Sequence, residues 1–336
     1  MAKNPSAFVG GGKGAQGLDA DCPWDMWLRF RNPDVEARFV THSNEKLTGV
    51  DAITNKIPVL LGPAKVFSWK STGLVRTALH HTWLLSSSLT ALVILAAIRS
   101  DPAMYTARRI HINSVYRLVI SIGNGLVVML EDTLDVWDAN SMGVGIVSKS
   151  PIAGMLLMGM ALRVPFKRHV LIQGVLTCLS CLWVTKFCEA CRFDDEIDAA
   201  VNRIGWSTDG FMQRLSTLGV VLSKRPDPSA GQYPCWLVGV FYHWWLGFFL
   251  PSVVVYVSEC LSRWSFLKPM LEERDAARVK IALHSRLILT GATALIGSQV
   301  LWFVLKAMFA SRVICEGDVD MGALRNGLLL DALHQG

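Results

Sequence analysis

His169–Cys191, HVLIQGVLTCLSCLWVTKFCEAC, carries two CxxC pairs, Cys178 with Cys181 and Cys188 with Cys191, on an apolar run. In a soluble chain that spacing points to a zinc site or a redox dithiol. Here the run from His169 to Cys188 holds one lysine and no acid. As a helix it would reach about 30 Å, the thickness of a bilayer's hydrocarbon core. On such a helix Cys178 and Cys188 stand about 15 Å apart along the axis, whereas one zinc ion needs Zn–S bonds of about 2.3 Å. A single four-thiolate site is therefore excluded on a continuous helix. Cys178 and Cys181 read as small apolar packing residues, and Cys188 and Cys191 as the exit of a membrane span.

The composition agrees with that choice. Of 336 residues, 51% are hydrophobic and only 18% charged, too apolar for an ordinary soluble domain of this length. The fold class expected is all-α: a polytopic integral membrane helical bundle of about six transmembrane spans. These are Leu79–Ile98, Tyr116–Leu130, Met142–Leu162, His169–Cys188, Trp236–Ser258 and His284–Phe309. The third is interrupted by Lys149, Ser150 and Pro151, and its clean part covers only about 16 Å as helix, so it reads as a broken span or, alternatively, a re-entrant segment. Around the spans lie a Gly-rich tail (1–21) expected to be disordered and a membrane-proximal segment (22–78) whose prolines break any long helix. The bundle (79–310) contains a long connection (193–234), and a C-terminal tail (311–336) follows. Within that connection Phe211, Leu215, Leu218 and Leu222 predict an amphipathic helix lying at the interface.

Charge sorts along the same lines. Arg99, Arg108, Arg109, Arg163, Lys167, Arg168, Arg263 and Lys268 fall in connections on one face of a six-span arrangement. The runs EDTLDVWD (131–138), FDDEID (193–198) and EGDVD (316–320) fall on the other. The positive-inside rule makes the basic face cytosolic, or its organellar equivalent, with both termini outside. The net charge of +6 is then juxtamembrane, suited to anionic lipid headgroups and not to nucleic acid. Cys22, Cys188, Cys191, Cys235 and Cys315 share the acidic face and Cys260 the basic one, as an oxidising exterior permits. At least one of Cys188 and Cys191 is expected to be oxidised to Cys22, Cys235 or Cys315, with Cys260 left as a free thiol. A Cys191–Cys235 bridge is preferred because it would pin both ends of the long connection.

Several residues invite a role. Asn124, Gln173, His243 and Gln299 lie deep in apolar runs, where hydrocarbon offers a polar group no partner. They are candidate pathway or interhelical contacts. Glu259 and Arg263, at i and i+4 just after the helix-kinking Pro251, suit an ion pair at the membrane edge. Two function classes follow. The leading one is a non-catalytic multi-pass membrane protein: a transporter, a channel-like conduit or an assembly component, with the lipid bilayer and other membrane subunits as partners and no cofactor. The alternative is a Mg²⁺-dependent intramembrane enzyme acting on a phosphorylated lipid or isoprenoid, with Asp132, Asp135, Asp194 and Asp198 as metal ligands. Substrate class and membrane are not legible from these residues.

Overall fold

The computed structural model describes residues 23–60, 63, 74–130, 151–191, 195–217 and 234–315. Among them the architecture is helical, the one β feature being an isolated Trp24–Phe30 bridge. The principal helices are α1 (Pro33–Thr54), α2 (Leu74–Ser100), α3 (Pro102–Leu130), α4 (Pro151–Ala161), α5 (Phe166–Cys191) and α6 (Asp195–Thr217). There follow α7 (Cys235–Trp244), a π-helical turn (Trp245–Phe249), α8 (Leu250–Leu267) and α9 (Glu273–Cys315). Among the described residues four helices are long and apolar enough to cross a membrane: His81–Ser100, Phe166–Thr185, Cys235–Met270 and Glu273–Met308.

Two of the six expected spans are not among these four. α3 runs through Tyr116–Leu130, with Arg117 inside that stretch and Arg108 and Arg109 before it. Helix α4 is described over Pro151–Ala161, 11 residues and about 16 Å, shorter than a span. Residues 142–150 lie outside the described residues, as do the N-terminal tail and residues 316–336; residues 311–315 of the C-terminal tail continue α9.

α3 is the hub, packing against α1, α2, α4 and α5, while α7 and α9 close the other side with α5 and α6. Trp183, Phe187, Val201, Leu237, Phe241 and Trp302 form the larger core among α5, α6, α7 and α9. A second core joins the N-terminal segment to α8 and α9 through Trp24, Leu28, Phe30, Phe39, Leu267 and Leu283. Close approach of α2 and α3 depends on Gly123, since a Cβ there would lie 2.0 Å from the Trp83 ring.

The N-terminal segment corrects a sequence expectation. It contains a 22-residue helix, α1, because Pro33 sits in the first turn, where its missing N–H costs nothing, and the next proline comes only at 58. Asn32 caps it, its Oδ1 accepting from the N–H groups of Asp34 (2.9 Å) and Val35 (3.3 Å). The helix in the long connection also begins earlier than Phe211. In α6, Ile197, Val201, Thr208 and Met212 are buried and Phe211 is exposed. The helix thus packs onto α7 and α9. The stripe that matters starts in DEIDAAVNRI; Leu218 and Leu222 lie outside the described residues.

The basic segments meet at one end of the bundle. Asn44 Nδ2 donates to the Thr106 carbonyl at 3.2 Å, Arg168 to His111 Nδ1 at 3.3 Å and Arg163 to Ser258 Oγ at 2.6 Å. At the far end a disulfide joins Cys188 to Cys235, with Cα atoms 5.5 Å apart. The expected partner, Cys191, is displaced. Phe187 and Cys188 belong to the α5 face that packs on α7, whereas Cys191 is almost a full helical turn further along. Cys260 is a buried free thiol.

Candidate functional site

Two helices face each other with polar residues. On α3, Asn113, Arg117 and Ser121 are buried at intervals of four, and Asn124 continues the stripe. On α5, His169, Gln173, Thr177 and Ser180 are buried in the same rhythm. The opposite faces are apolar and exposed: Val115, Val119, Ile122 and Leu126 on α3, and Leu171, Val175, Leu179 and Leu182 on α5. Each helix therefore turns its polar stripe inward and its aliphatic stripe outward, the inverse of a helix folded against water.

The centre of this seam is Arg117. Its Nη1 donates to His169 Nδ1 at 2.9 Å and its Nη2 to Gln173 Oε1. A guanidinium has only donors, so Nδ1 of His169 is the acceptor and that ring carries its proton on Nε2. Gln173 passes the chain on by donating from Nε2 to the Gly247 carbonyl. That carbonyl is available for a covalent reason. Pro251, four residues on, has no N–H to return to it, and the helix widens into the π-turn Trp245–Phe249. Gly159 admits the chain, because a Cβ there would crowd Arg117 Nη2 at 3.2 Å and Gln173 Oε1 at 3.4 Å.

The guanidinium is fully buried, and no carboxylate pairs with it among the described residues. Along the seam and next to it, Arg117 Nε, Ser121 Oγ, His169 Nε2, Thr177 Oγ1 and Ser252 Oγ likewise find no hydrogen-bond partner among the described residues. An unsatisfied buried polar atom costs about 1–3 kcal/mol, and a charged one more. A row of them is an expensive arrangement for packing alone.

At the basic end of the bundle the charges are paired. Asp51 is fully buried, accepting from Arg109 Nε (2.6 Å) and Nη2 (3.0 Å), Tyr105 Oη (2.9 Å) and Asn113 Nδ2 (3.0 Å). Burial, then the Asp51 charge, raises the Tyr105 phenol well above its ordinary range, so Tyr105 stays a donor. One turn from the end of α8, Arg263 bridges Glu259 (2.9 Å) and Glu36 of α1 (2.5 Å), and its guanidinium lies 4.2 Å from the Phe39 ring centre. Together these two clusters fasten α1 across the bundle end.

The other sequence candidates scatter. Asn124 accepts from Trp83 Nε1 at 2.9 Å, and Gln299 donates to the Met212 carbonyl at 3.5 Å. His243 is buried, hydrogen-bonded to the Gly239 carbonyl at 2.8 Å and inclined on Trp183. Only Gln173 of the four belongs to the Arg117 chain. Asp132, Asp135 and Asp194 lie outside the described residues, and Asp198 accepts from Asn202 at 3.2 Å within α6. Among the described residues no group of three His, Cys, Asp or Glu side chains is placed to hold a metal.

Sequence reasoning missed Arg117, which stands one residue inside the expected span and reads as one more basic flank. The signal was the shared spacing of Asn113, Arg117, Ser121 and Asn124 with that of His169, Gln173, Thr177 and Ser180. It missed Asp209 too. That buried acid of α6 accepts from Trp302 Nε1 at 2.8 Å and Lys306 Nζ at 2.9 Å, tying α6 to α9. No family model, curated protein or solved structure matches the chain, so the geometry alone carries the functional argument.

Proposed function

We propose that this chain is a multi-pass integral membrane protein without catalytic activity, and that the seam between α3 and α5 is a conduit for small polar or anionic solutes. The exposed aliphatic stripes of α2, α3, α5 and α9 support the membrane setting, because contiguous outward apolar faces on this scale are unfavourable in water. One observation supports the conduit above all others: a buried, uncompensated Arg117 in line with unpaired polar atoms of Ser121, His169 and Thr177. Ionisable residues inside membrane bundles mark solute and ion pathways, where passing water or solute meets their hydrogen-bonding demand. The π-turn at Gly247 adds a backbone carbonyl to the same path, the kind of irregular backbone tolerated at membrane depth where it lines a cavity.

Cysteine accessibility in proteoliposomes tests the reading. With Cys178 and Cys181 replaced by Ala, Ser121→Cys and Thr177→Cys should react with a small water-soluble thiol reagent. Val119→Cys and Val175→Cys, on the outward stripes, should not. Seam cysteines as unreactive as the outward ones would refute the conduit.

A further inference from the structure

The basic end of the bundle holds a cleft between α1, α3, the Arg163–Pro165 linker and α8, with a cavity volume of about 60 Å³. That admits about four waters, or one tetrahedral oxyanion. The carboxylate that lines it, Glu259, and Glu36 beyond the lining are already spent. Glu259 accepts from Arg263 and from the Phe166 N–H (2.7 Å), and Glu36 accepts from Arg263 and from the Phe30 N–H (2.7 Å). Asp51, behind the wall, is saturated by Arg109, Tyr105 and Asn113.

Arg163 is different. Its Nε donates to the Met160 carbonyl at 3.3 Å and its Nη1 to Ser258 Oγ at 2.6 Å, and no carboxylate pairs with it among the described residues. Among the described residues Nη2 has no hydrogen-bond partner, and the half-buried Arg163 lines the cleft together with Ser43, Ser258, Ser262 and Arg109. A planar donor fork flanked by hydroxyls matches the oxygens of a phosphate group, and a partly desolvated cation without a counter-ion favours an anion that brings charge.

We propose that this cleft binds a phosphate group, with Arg163 as the charged anchor and Ser43, Ser258 and Ser262 as its hydroxyl contacts. The group could be supplied by a free phosphorylated solute or by the headgroup of an anionic lipid, and the chemistry is the same. The site stands apart from the conduit reading, because binding requires only the packing of α1, α3 and α8. Its position still relates the two, since Arg109 in the cleft wall begins the α3 stripe that continues through Asn113 to Arg117.

The test is thermal unfolding of the full chain in neutral-detergent micelles, titrated with inorganic phosphate against acetate at equal ionic strength. Phosphate should raise the unfolding temperature and acetate should not. Arg163→Gln should need about tenfold more phosphate or above for the same rise, the loss expected for one charge-assisted contact. Arg168→Gln, outside the cleft, should respond as wild type. Should Arg163→Gln fold poorly, Ser258→Asp sets a carboxylate against Arg163, and it should fold, gain stability and lose the phosphate response.

Nanodiscs of phosphatidylcholine with and without phosphatidic acid separate the two sources. A phosphate response that vanishes only in phosphatidic-acid discs assigns the site to a lipid headgroup, and one that persists in both assigns it to a soluble solute. No phosphate-dependent shift in wild type, or an equal response in Arg163→Gln or Ser258→Asp, overturns the proposal. A chain that binds phosphate while its seam cysteines stay unreactive would refute the conduit and leave this site standing.

Discussion

Replacing Asp51 by Asn should be among the most damaging single changes to this chain, although it alters one atom. The carboxylate is fully buried and accepts four hydrogen bonds from three side chains, two of them from Arg109. An amide at that position offers one acceptor oxygen where there were two, places an NH₂ against donors and leaves the Arg109 guanidinium buried without its counter-ion. Breaking a buried ion pair by removing one partner costs about 3–5 kcal/mol. For a chain of this length roughly 2 °C of unfolding temperature is lost per kcal/mol, so the shift should be about 6–10 °C.

The assay is thermal or SDS-induced unfolding of the full chain in micelles, with Asp34→Asn at the exposed start of α1 as comparison. A second variant, Arg109→Met, should cost a similar amount by stranding Asp51. The double variant should recover part of the loss, because a neutral pair carries no unpaired charge. The reasoning fails if Asp51→Asn shifts unfolding by less than the Asp34 control, or if the double variant is the simple sum of the singles.

Three further outcomes follow from the fold. Peptide mapping of alkylated, non-reduced protein should find Cys188 joined to Cys235 and Cys260 alkylated only after denaturation. Reduction should cost up to about 4 kcal/mol from the loop entropy of a 47-residue separation, read as a lower unfolding temperature. Gly123→Ala should destabilise by about 1–3 kcal/mol, since its Cβ would meet the Trp83 ring at 2.0 Å, and tryptophan emission should report the displaced ring. Tyr105, raised by burial and by Asp51, keeps its proton in the fold where the unfolded chain loses it. Stability is therefore full below a pH of about 10 and declines above it, and Tyr105→Phe should flatten part of that decline in denaturation at pH 9 and 11.

How much of this was legible beforehand differs by element. α5 and α9 are plain in sequence because length and apolarity suffice to read them. Of α3 only the second half, Tyr116–Leu130, was read as a span; its start at Pro102 and the inward polar stripe headed by Asn113 and Arg117 were not. Arg117 looks like a flank until α5 supplies His169 and Gln173 on the facing side, a pairing that no local pattern encodes. α1 was hidden by counting prolines and not asking where they sit: Pro33 starts a helix, while the same residue inside one would end it. Cys188, not Cys191, pairs with Cys235 because the choice rests on rotation about the α5 axis, which an apolar run specifies only loosely.

The π-turn shows where local chemistry could have gone further. Pro251 reads as a kink in any apolar helix, yet its missing N–H also names the carbonyl it releases, that of Gly247. A freed carbonyl inside a bundle must be met by a donor. Among the deep polar residues Gln173 has an amide that can donate to that oxygen and accept from an arginine at once, while Asn124 is taken by Trp83 and His243 by its own helix. Gln173→Leu is therefore the change that separates the two roles of the seam. It leaves the Gly247 carbonyl and Arg117 both unsatisfied, so it should destabilise by more than a lone core substitution of that size, about 2–4 kcal/mol. Gln173→Glu supplies a carboxylate to Arg117 while giving up the amide donor to Gly247. If charge compensation is what the seam lacks, Gln173→Glu unfolds at or above the wild-type temperature in micelles. If the Gly247 contact dominates, it falls to the level of Gln173→Leu, and the view of Arg117 as an uncompensated cation has to be given up.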